Sequence, residues 1–308
     1  MKAGRKSLSK LRLSDAVLVR RESSPDRTTL TDQRGKWLAT LTDGAFTATL
    51  AGPRRTFTES TAAEKIKHSV WVRTLPTPFD GEVDFSWLED ALSANERRVS
   101  DVLAIAMEYI RGAPAVVVDG LQISGDAAYG PLKDGKREEG SDFNDYLGID
   151  WPYPNRVDPH EPHQLHCLDC SGFIRMVWGY RHHLDGGTYA DTMPLCLEPL
   201  PDRAAIPRRA FQIYDAAPGI VITQNTGAQV EDFSHLRIGD LVFFDADEGD
   251  GQQIDHVGMY FGLDTGEHHR FISSRKGANG PTLGDYRGKS VLDGAGLYAR
   301  TFRAVRRL

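Results

Sequence analysis

The feature that most constrains this chain is a short turn that leads directly into an amphipathic helix. Residues 169–172 read Asp-Cys-Ser-Gly, and apolar residues follow them at helical spacing: Phe173, Ile174, Val177 and Trp178. The pattern predicts that Cys170 lies at a helix N-terminus. Free backbone N–H groups and the helix dipole stabilise a thiolate there, so we expect a lowered pKa and a nucleophilic thiol.

Two segments far downstream supply a candidate partner for this cysteine. Residues 236–245 and 255–262 are rich in apolar, β-branched and aromatic residues and are bounded by Gly and Asp, so both are predicted to be buried strands. His256 opens the second strand. A cysteine and a much later histidine are typical of Cys/His catalysis, in which the two residues meet in space and not in sequence.

Three motifs, in this order, resemble those of the NlpC family of papain-like cysteine peptidases, which cut bacterial cell-wall peptides. They are Asp-Cys-Ser-Gly-Phe at 169–173, Gly-Asp-Leu-Val-Phe-Phe at 239–244 and His-Val-Gly-Met-Tyr at 256–260. The resemblance covers about residues 125 to 308. It implies a cysteine endopeptidase that hydrolyses amide bonds of peptidoglycan stem peptides or muropeptides, typically between D-γ-glutamyl and a diamino acid. Cys170 would be the nucleophile and His256 the base, with no metal or other cofactor.

The resemblance also implies residues that bind the substrate. The family has a tyrosine shortly upstream of the nucleophile, and Tyr129 matches it. Asp169 and Ser171 are expected to help bind the free amine of a stem peptide, although Asp169 is equally well explained as the helix N-cap. About 35 residues rich in Asp, Glu and Pro separate the tyrosine region from the cysteine. We expect them to form a lid or specificity loop.

The third catalytic position, which orients the histidine, departs from the family pattern. The family has His, Asn or Gln at the start of the next strand, whereas the matching residue here is Ser273, which orients an imidazole only weakly. His268 and His269 lie a few residues earlier, and strand alternation allows His269 to face the same way as Ser273. An exposed turn is the alternative for both histidines. We assign the position to Ser273, with a vacant or water-filled position as the alternative.

Other chemistry is open to the residues just before the helix. They form the densest cluster of metal-binding side chains in the chain: His160, His163, His166, Cys167 and Cys170. A zinc site is one alternative, but the metal would occupy the thiolate and leave the His256 strand unexplained. A Cys167–Cys170 disulfide is another, and it would mask the nucleophile.

The sequence predicts an α+β protein with two domains. Short apolar runs separated by turn signals (16–19, 37–41, 46–50 and 70–73) make residues 1–80 a small β-rich domain, either a barrel or a sandwich. It would target the enzyme or bind wall polymers, as similar domains do in the family, or only pack on its neighbour. Helical patterns at 87–92 and 98–111 open the papain-like domain, residues 81–308, in which the nucleophile helix packs on an antiparallel sheet.

Composition limits the partners and the location. The 308 residues carry a net charge of −6, which gives no electrostatic case for binding nucleic acid. No apolar run approaches the ~18 residues that span a bilayer. Because no secretory signal is visible, we expect a cytoplasmic protein as written, or a wall or extracellular one if it is processed or exported by another route. One alternative function is a papain-like amidase, deamidase or acyltransferase that acts on another substrate, with an intracellular toxin as one such case. The other is a non-catalytic module that binds wall fragments.

Overall fold

A computed structural model describes residues 13–181, 193–247 and 251–308, so most of the N-terminal segment considered for a secretory signal lies outside it. The first part of the chain contains a short helix, five strands and two further helices. These are α1 (Leu13–Ala16), β1 (Val17–Glu22), β2 (Arg27–Asp32), β3 (Trp37–Thr42), β4 (Thr47–Phe57), β5 (Ile66–Thr74), α2 (Phe85–Glu96) and α3 (Val102–Met107).

Strands β1 to β5 form one antiparallel sheet in chain order, the N-terminal sheet. The four predicted strands are confirmed, and β2 was missed because its sequence Arg-Thr-Thr-Leu-Thr-Asp holds a single large apolar residue. That residue, Leu30, is fully buried. The sheet's core also contains Trp87, Leu88 and Ala91 of α2, so a helix from beyond residue 80 packs on it. The boundary near residue 80 stays a prediction.

The two predicted helices differ in outcome. The pattern at 87–92 is confirmed within α2, whereas the helix predicted over 98–111 is reduced to α3, Val102–Met107. Arg98 has a φ of 59°, a left-handed conformation that a helix excludes. Asp101 then caps α3, because its side chain accepts a hydrogen bond from the backbone N–H of Ala104.

The segment between Tyr129 and Cys170 is folded. Together with the preceding residues it contains three two-stranded hairpins, a helix and a 3₁₀ turn. These are β6 (Val116–Val118), β7 (Leu121–Ser124), β8 (Leu132–Lys133), β9 (Lys136–Arg137), α4 (Phe143–Leu147), β10 (Trp151–Tyr153), β11 (Arg156–Asp158) and Pro162–Gln164. Every residue of α4 is buried, so this part is not an open loop. A lid function stays a prediction.

The remainder of the chain builds a second antiparallel sheet, the catalytic sheet. Its elements are α5 (Cys170–Ile174), which continues as a π-helix (Arg175–Arg181), α6 (Ala210–Ala216), β12 (Ile220–Thr223), β13 (Leu241–Phe244), β14 (His256–Leu263), β15 (His269–Arg275), β16 (Gly280–Thr282), α7 (Leu297–Thr301) and β17 (Phe302–Arg307). The strand order is β12-β17-β13-β14-β15-β16.

The core joins the nucleophile helix to the catalytic sheet. Phe173 and Ile174 of α5 share one buried cluster with Val257 and Met259 of β14, and Phe57 of the N-terminal sheet belongs to the same cluster. The mixed α+β class with a β-rich N-terminal region is therefore confirmed. The specifically papain-like arrangement stays a prediction.

The chain end ties the two sheets together. The backbone N–H and the hydroxyl of Thr47 both donate to the carbonyl oxygen of Leu308, at 2.7 and 2.6 Å. Arg307 donates to Thr42 at 2.8 Å and to Asp240 at 2.7 Å. The N-terminal sheet is thus fixed against the last strand of the catalytic sheet.

Candidate active site

Cys170 is the first residue of α5, as the sequence predicts. Asp169 is the N-cap, and its Oδ1 accepts a hydrogen bond from the backbone N–H of Gly172 at 2.7 Å. A Cβ added at Gly172 would lie 2.3 Å from the carbonyl oxygen of Ser141. Only glycine therefore lets the helix start approach the neighbouring backbone this closely.

The thiol of Cys170 lies against the start of β14. Its Sγ is 4.0 Å from the carbonyl oxygen of Asp255, and the backbone N–H of Val257 also hydrogen-bonds to it. These two residues flank His256, which opens the strand. Residues that are 86 positions apart are thus brought to one place by packing α5 on the sheet.

The charge state of the pair differs from the expectation at a helix N-terminus. Burial, together with the carboxylate of Asp169, raises the pKa of Cys170 to about 12. The expected lowering of this pKa is therefore wrong, because the cost of burying a thiolate beside a carboxylate exceeds the gain from the backbone and from Arg208. Burial lowers the pKa of His256 to about 3, and the charge of Arg275 adds to this effect. Both groups are neutral at pH 7.

Ser273 is the residue predicted for the third catalytic position. Ser273 is buried in β15 and packs against Gly258, the second residue after His256 on β14. A Cβ added at Gly258 would lie 3.1 Å from the Cβ of Ser273. Within the described residues neither its Oγ nor His256 Nε2 has a hydrogen-bond partner. The imidazole ring is instead packed by Tyr298 and Phe244, with ring centroids 5.5 and 5.7 Å away.

The two alternative histidines are engaged elsewhere. Nδ1 of His268 is 2.6 Å from a carboxylate oxygen of Asp293, and Nδ1 of His269 is 2.8 Å from the hydroxyl of Tyr260. His269 also stacks on Phe233 with ring centroids 4.3 Å apart. Neither imidazole makes a contact with His256 among the described residues.

A cavity of about 290 Å³ opens onto the nucleophile. It is lined by the three predicted substrate residues, by residues 209–211 at the start of α6 and by residues 253–255 just before β14. The lining includes Tyr129, Glu139, Asp169, Cys170, Ser171, Phe211 and Asp255. The Tyr129 hydroxyl is 3.4 Å from a carboxylate oxygen of Glu139, and burial raises its pKa, so it remains a hydrogen-bond donor at neutral pH. Ser273 lies outside this lining.

Arg208 holds both residues that flank the nucleophile. Its guanidinium donates to Asp169 Oδ2 at 2.7 Å and to Ser171 Oγ at 2.7 Å. Burial opposes the charge of Asp169, but Arg208 and the hydrogen bonds from Gly172 and Ser171 together outweigh it and keep the pKa of that carboxyl below its usual value. A substrate amine would therefore meet a carboxylate that is already paired. The predicted amine-binding role of Asp169 and Ser171 stays a prediction.

The pairing extends away from the cysteine through a second carboxylate. Asp142 lies 3.5 Å from Arg208 and accepts hydrogen bonds from Arg175 at 3.0 Å. Arg175 also donates to the hydroxyl of Tyr153 and to the carbonyl oxygen of Cys196. The sequence predicts that Arg208 lies just before a helix, but it does not predict the pairing with Asp169 and Asp142. The spacing of residues along the chain does not reveal which distant carboxylates an arginine will meet.

The ligand-rich cluster before α5 is dispersed. Nδ1 of His160 pairs with Asp150 at 2.7 Å, and exposed His163 lies 3.5 Å from Glu138. Over residues 13–181, 193–247 and 251–308, no group of three or more His, Cys, Asp or Glu side chains is arranged to hold a metal ion. Cys167 and Cys170 are free thiols. A disulfide between them, formed under oxidation, stays a prediction.

A cysteine at a helix start beside a histidine-bearing strand is the arrangement that thiol-dependent hydrolases use. Residues 160–289 match the model of the NlpC/P60 family, so the chain contains an NlpC/P60 domain and the resemblance of its motifs is confirmed. Members of this family are generally cysteine hydrolases that act on peptidoglycan-related substrates. No curated protein matches the sequence. In the part of the chain that the structure describes, no helix is long and apolar enough to cross a membrane.

Proposed function

We propose that the protein is a cysteine endopeptidase that hydrolyses peptidoglycan stem peptides at the bond between D-γ-glutamyl and a diamino acid. The observation that carries this proposal is the Cys170 thiol, which lines a cavity and contacts the backbone on both sides of His256. The NlpC/P60 family match supports the class of substrate.

The reaction begins with a neutral thiol and a neutral imidazole. His256 takes the thiol proton as the sulfur attacks the amide carbon, and a tetrahedral intermediate with a negative oxygen forms. Backbone N–H groups at the start of α5 stabilise this oxyanion. Because thiolate formation in the resting protein is unfavourable, proton transfer and attack are coupled.

The second half of the reaction uses the same pair. The imidazolium of His256 gives its proton to the leaving amine, the C–N bond breaks, and a thioester to Cys170 remains. His256, neutral again, takes a proton from water as the water oxygen attacks the thioester carbon. The C–S bond then breaks, the carboxylic acid product is released, and the imidazolium returns its proton to the sulfur of Cys170. Ser273 occupies the position of the orienting residue. Its Oγ has no hydrogen-bond partner among the described residues, so packing by Tyr298 and Phe244 helps to hold the ring.

A groove beside the catalytic cavity supports a diamino acid as the substrate residue. It has a volume of about 440 Å³ and shares Arg209 and Phe211 with the catalytic cavity. Its lining includes five carboxylates: Asp142, Asp145, Asp158, Glu161 and Glu198. Asp142 is neutralised by Arg175, and the lining also contains Arg156, Arg208 and Arg209, so the groove carries charges of both signs. We propose that the second amine of the diamino acid pairs there with one of the other carboxylates.

The test is incubation of intact peptidoglycan with purified protein under reducing conditions, followed by mass spectrometry of the released fragments. The wild type is expected to cut within the stem peptide, and Cys170→Ala is expected to lose at least about 10³-fold in rate. Cys196→Ala is the matched control, since Cys196 is a buried thiol outside the cavity and should leave the rate unchanged. Equal release by wild type and Cys170→Ala would refute the proposal.

A non-catalytic module that binds wall fragments is the second candidate. The raised pKa of Cys170 and the missing partner of His256 Nε2 favour it, because both weaken an activated nucleophile. Thiol labelling separates the two functions. If the protein is an enzyme, Cys170 of the folded protein is alkylated and peptidoglycan fragments are released. If it is a binding module, it binds wall fragments and releases no products. An amidase or acyltransferase acting on another substrate would react with alkylating agents but release nothing from peptidoglycan.

A further inference from the structure

A second and larger cavity lies between the N-terminal sheet and the catalytic sheet. Its volume is about 660 Å³, which is in the range of small-molecule sites and far above the voids of a packed interface. Strands β1 to β5 all contribute to one wall, and the loop 236–238 with the end of β14 forms the other. The cavity therefore lies at the opposite end of β14 from His256 and outside the catalytic cavity.

The charges around this cavity do not balance. Glu22 is paired with Arg27 at 2.6 Å, and Asp240 is paired with Arg307 at 2.7 Å. A third arginine, Arg237, lines the cavity. Among the described residues its guanidinium is in no hydrogen bond or ion pair, so one positive charge is left over.

The surroundings of Arg237 favour an anionic partner. It is half-buried, and burial together with the charges of Arg307 and Arg27 lowers its pKa. A guanidinium that has lost part of its hydration next to two others is costly unless an anion meets it. Its planar fork binds a carboxylate or a phosphate through two parallel hydrogen bonds. Lys67, which also lines the cavity, adds to the positive potential.

The facing wall has the chemistry that recognises a sugar ring. It presents the indole of Trp37 and the threonines at positions 29, 40 and 49. Trp37 Nε1 donates to Thr40 Oγ1 at 3.0 Å, which fixes the ring. A flat aromatic surface takes the apolar face of a sugar, and hydroxyls that both donate and accept can pair with sugar hydroxyls.

We infer that this cavity binds a small acidic saccharide, whose carboxylate or phosphate pairs with Arg237 while Trp37 covers the apolar face of its ring. The site is separate from the catalytic cavity and does not depend on the endopeptidase activity. Cys170→Ala is therefore expected to bind the saccharide as the wild type does.

The experiment is a titration of the full-length protein followed by NMR at the indole N–H of Trp37. The probes are methyl glucuronide, glucose 6-phosphate and, as the neutral sugar, methyl glucoside. Saturable shifts are expected with at least one acidic sugar, and the tighter of the two identifies the anionic group. The wild type is expected to bind methyl glucoside at least about tenfold more weakly than the acidic sugar, because the neutral sugar has no anionic group. The variant Arg237→Gln is expected to bind the acidic sugar at least about tenfold more weakly than the wild type does. Arg54→Gln is the matched control, because Arg54 is exposed on the same sheet outside the cavity.

Three results would overturn the inference. The first is no shift with either acidic sugar at tens of millimolar. The second is equal affinity in wild type and Arg237→Gln. The third is inorganic phosphate binding as tightly as both acidic sugars, which would mean that the ring contributes nothing. Circular dichroism of Arg237→Gln verifies that the variant is folded.

Discussion

Two sets of buried polar groups meet at the nucleophile, and they differ in how completely they are paired. Asp169, Arg208, Asp142 and Arg175 form a chain in which every carboxylate has a guanidinium partner. In the second set, His256 Nε2 and Ser273 Oγ are buried and have no hydrogen-bond partner among the residues that the structure describes. The paired set fixes the helix start, and the unpaired set is where the proposed proton transfers take place.

The difference teaches how the site divides its tasks. A buried ion pair that is fully hydrogen-bonded holds one geometry, and removing one partner leaves an uncompensated charge. An unpartnered imidazole carries an energetic cost but keeps its nitrogen free to accept a proton. Stability is therefore expected to depend on the arginines, and the chemistry on the cysteine and the histidine.

The largest effect is expected from breaking the paired set. Arg208→Met leaves Asp169 without its partner and is expected to cost about 3–5 kcal/mol of unfolding free energy. Urea denaturation measures the loss. Arg209→Met is the matched control, because Arg209 is the exposed neighbour, and it should change stability by no more than about 0.5 kcal/mol. A cost below about 1 kcal/mol for Arg208→Met would show that the pair does not hold the site.

The pH profile of thiol reactivity tests the unpaired set. Because the pKa of Cys170 is raised to about 12, alkylation by iodoacetamide is expected to rise about tenfold per pH unit between pH 7 and 9. Peptide mapping by mass spectrometry separates Cys170 from Cys167 and Cys196. A plateau already reached near pH 7 would contradict this and would indicate a thiolate–imidazolium pair.

Acid stability tests the neutral imidazole. The pKa of His256 is about 3 in the folded protein and 6.5 ordinarily, so the unfolded chain takes up the proton first as pH falls. The stabilisation of the folded protein that comes from keeping His256 neutral is complete above pH 6.5 and is lost as pH falls towards 3. Between pH 7 and 5 the wild type should lose about 2 kcal/mol more than His256→Gln. Urea denaturation at both pH values measures it, and equal losses would rule out a buried neutral imidazole.

The smallest effect is expected at the third position. Ser273→Ala should change kcat/KM by less than about threefold, because the hydroxyl has no hydrogen bond to lose among the described residues. Ser273→Asn supplies a side chain that can reach His256 and should raise kcat/KM by up to about tenfold. Circular dichroism controls for overpacking of this buried site. A hundredfold loss in Ser273→Ala would instead show that the serine orients the base.

The sequence by itself determined the local elements and the presence of an NlpC/P60 domain. The turn before Cys170, the start of β14 at His256 and most strands of the N-terminal sheet follow from patterns that repeat every two or every 3.6 residues, which neighbouring residues impose on each other. The N-cap at Asp169 is of the same kind. The NlpC/P60 match at 160–289 spans both the turn before Cys170 and His256.

Only the tertiary structure decided the charge states and the partners. Arg208 pairs with Asp169 from 39 residues away, Arg237 lines a cavity between two sheets, and α2 packs on the N-terminal sheet. The helix start alone predicts a lowered pKa for Cys170, whereas burial beside Asp169 raises it. Burial and long-range charge depend on which distant segments pack together, and local periodicity carries no information about that packing.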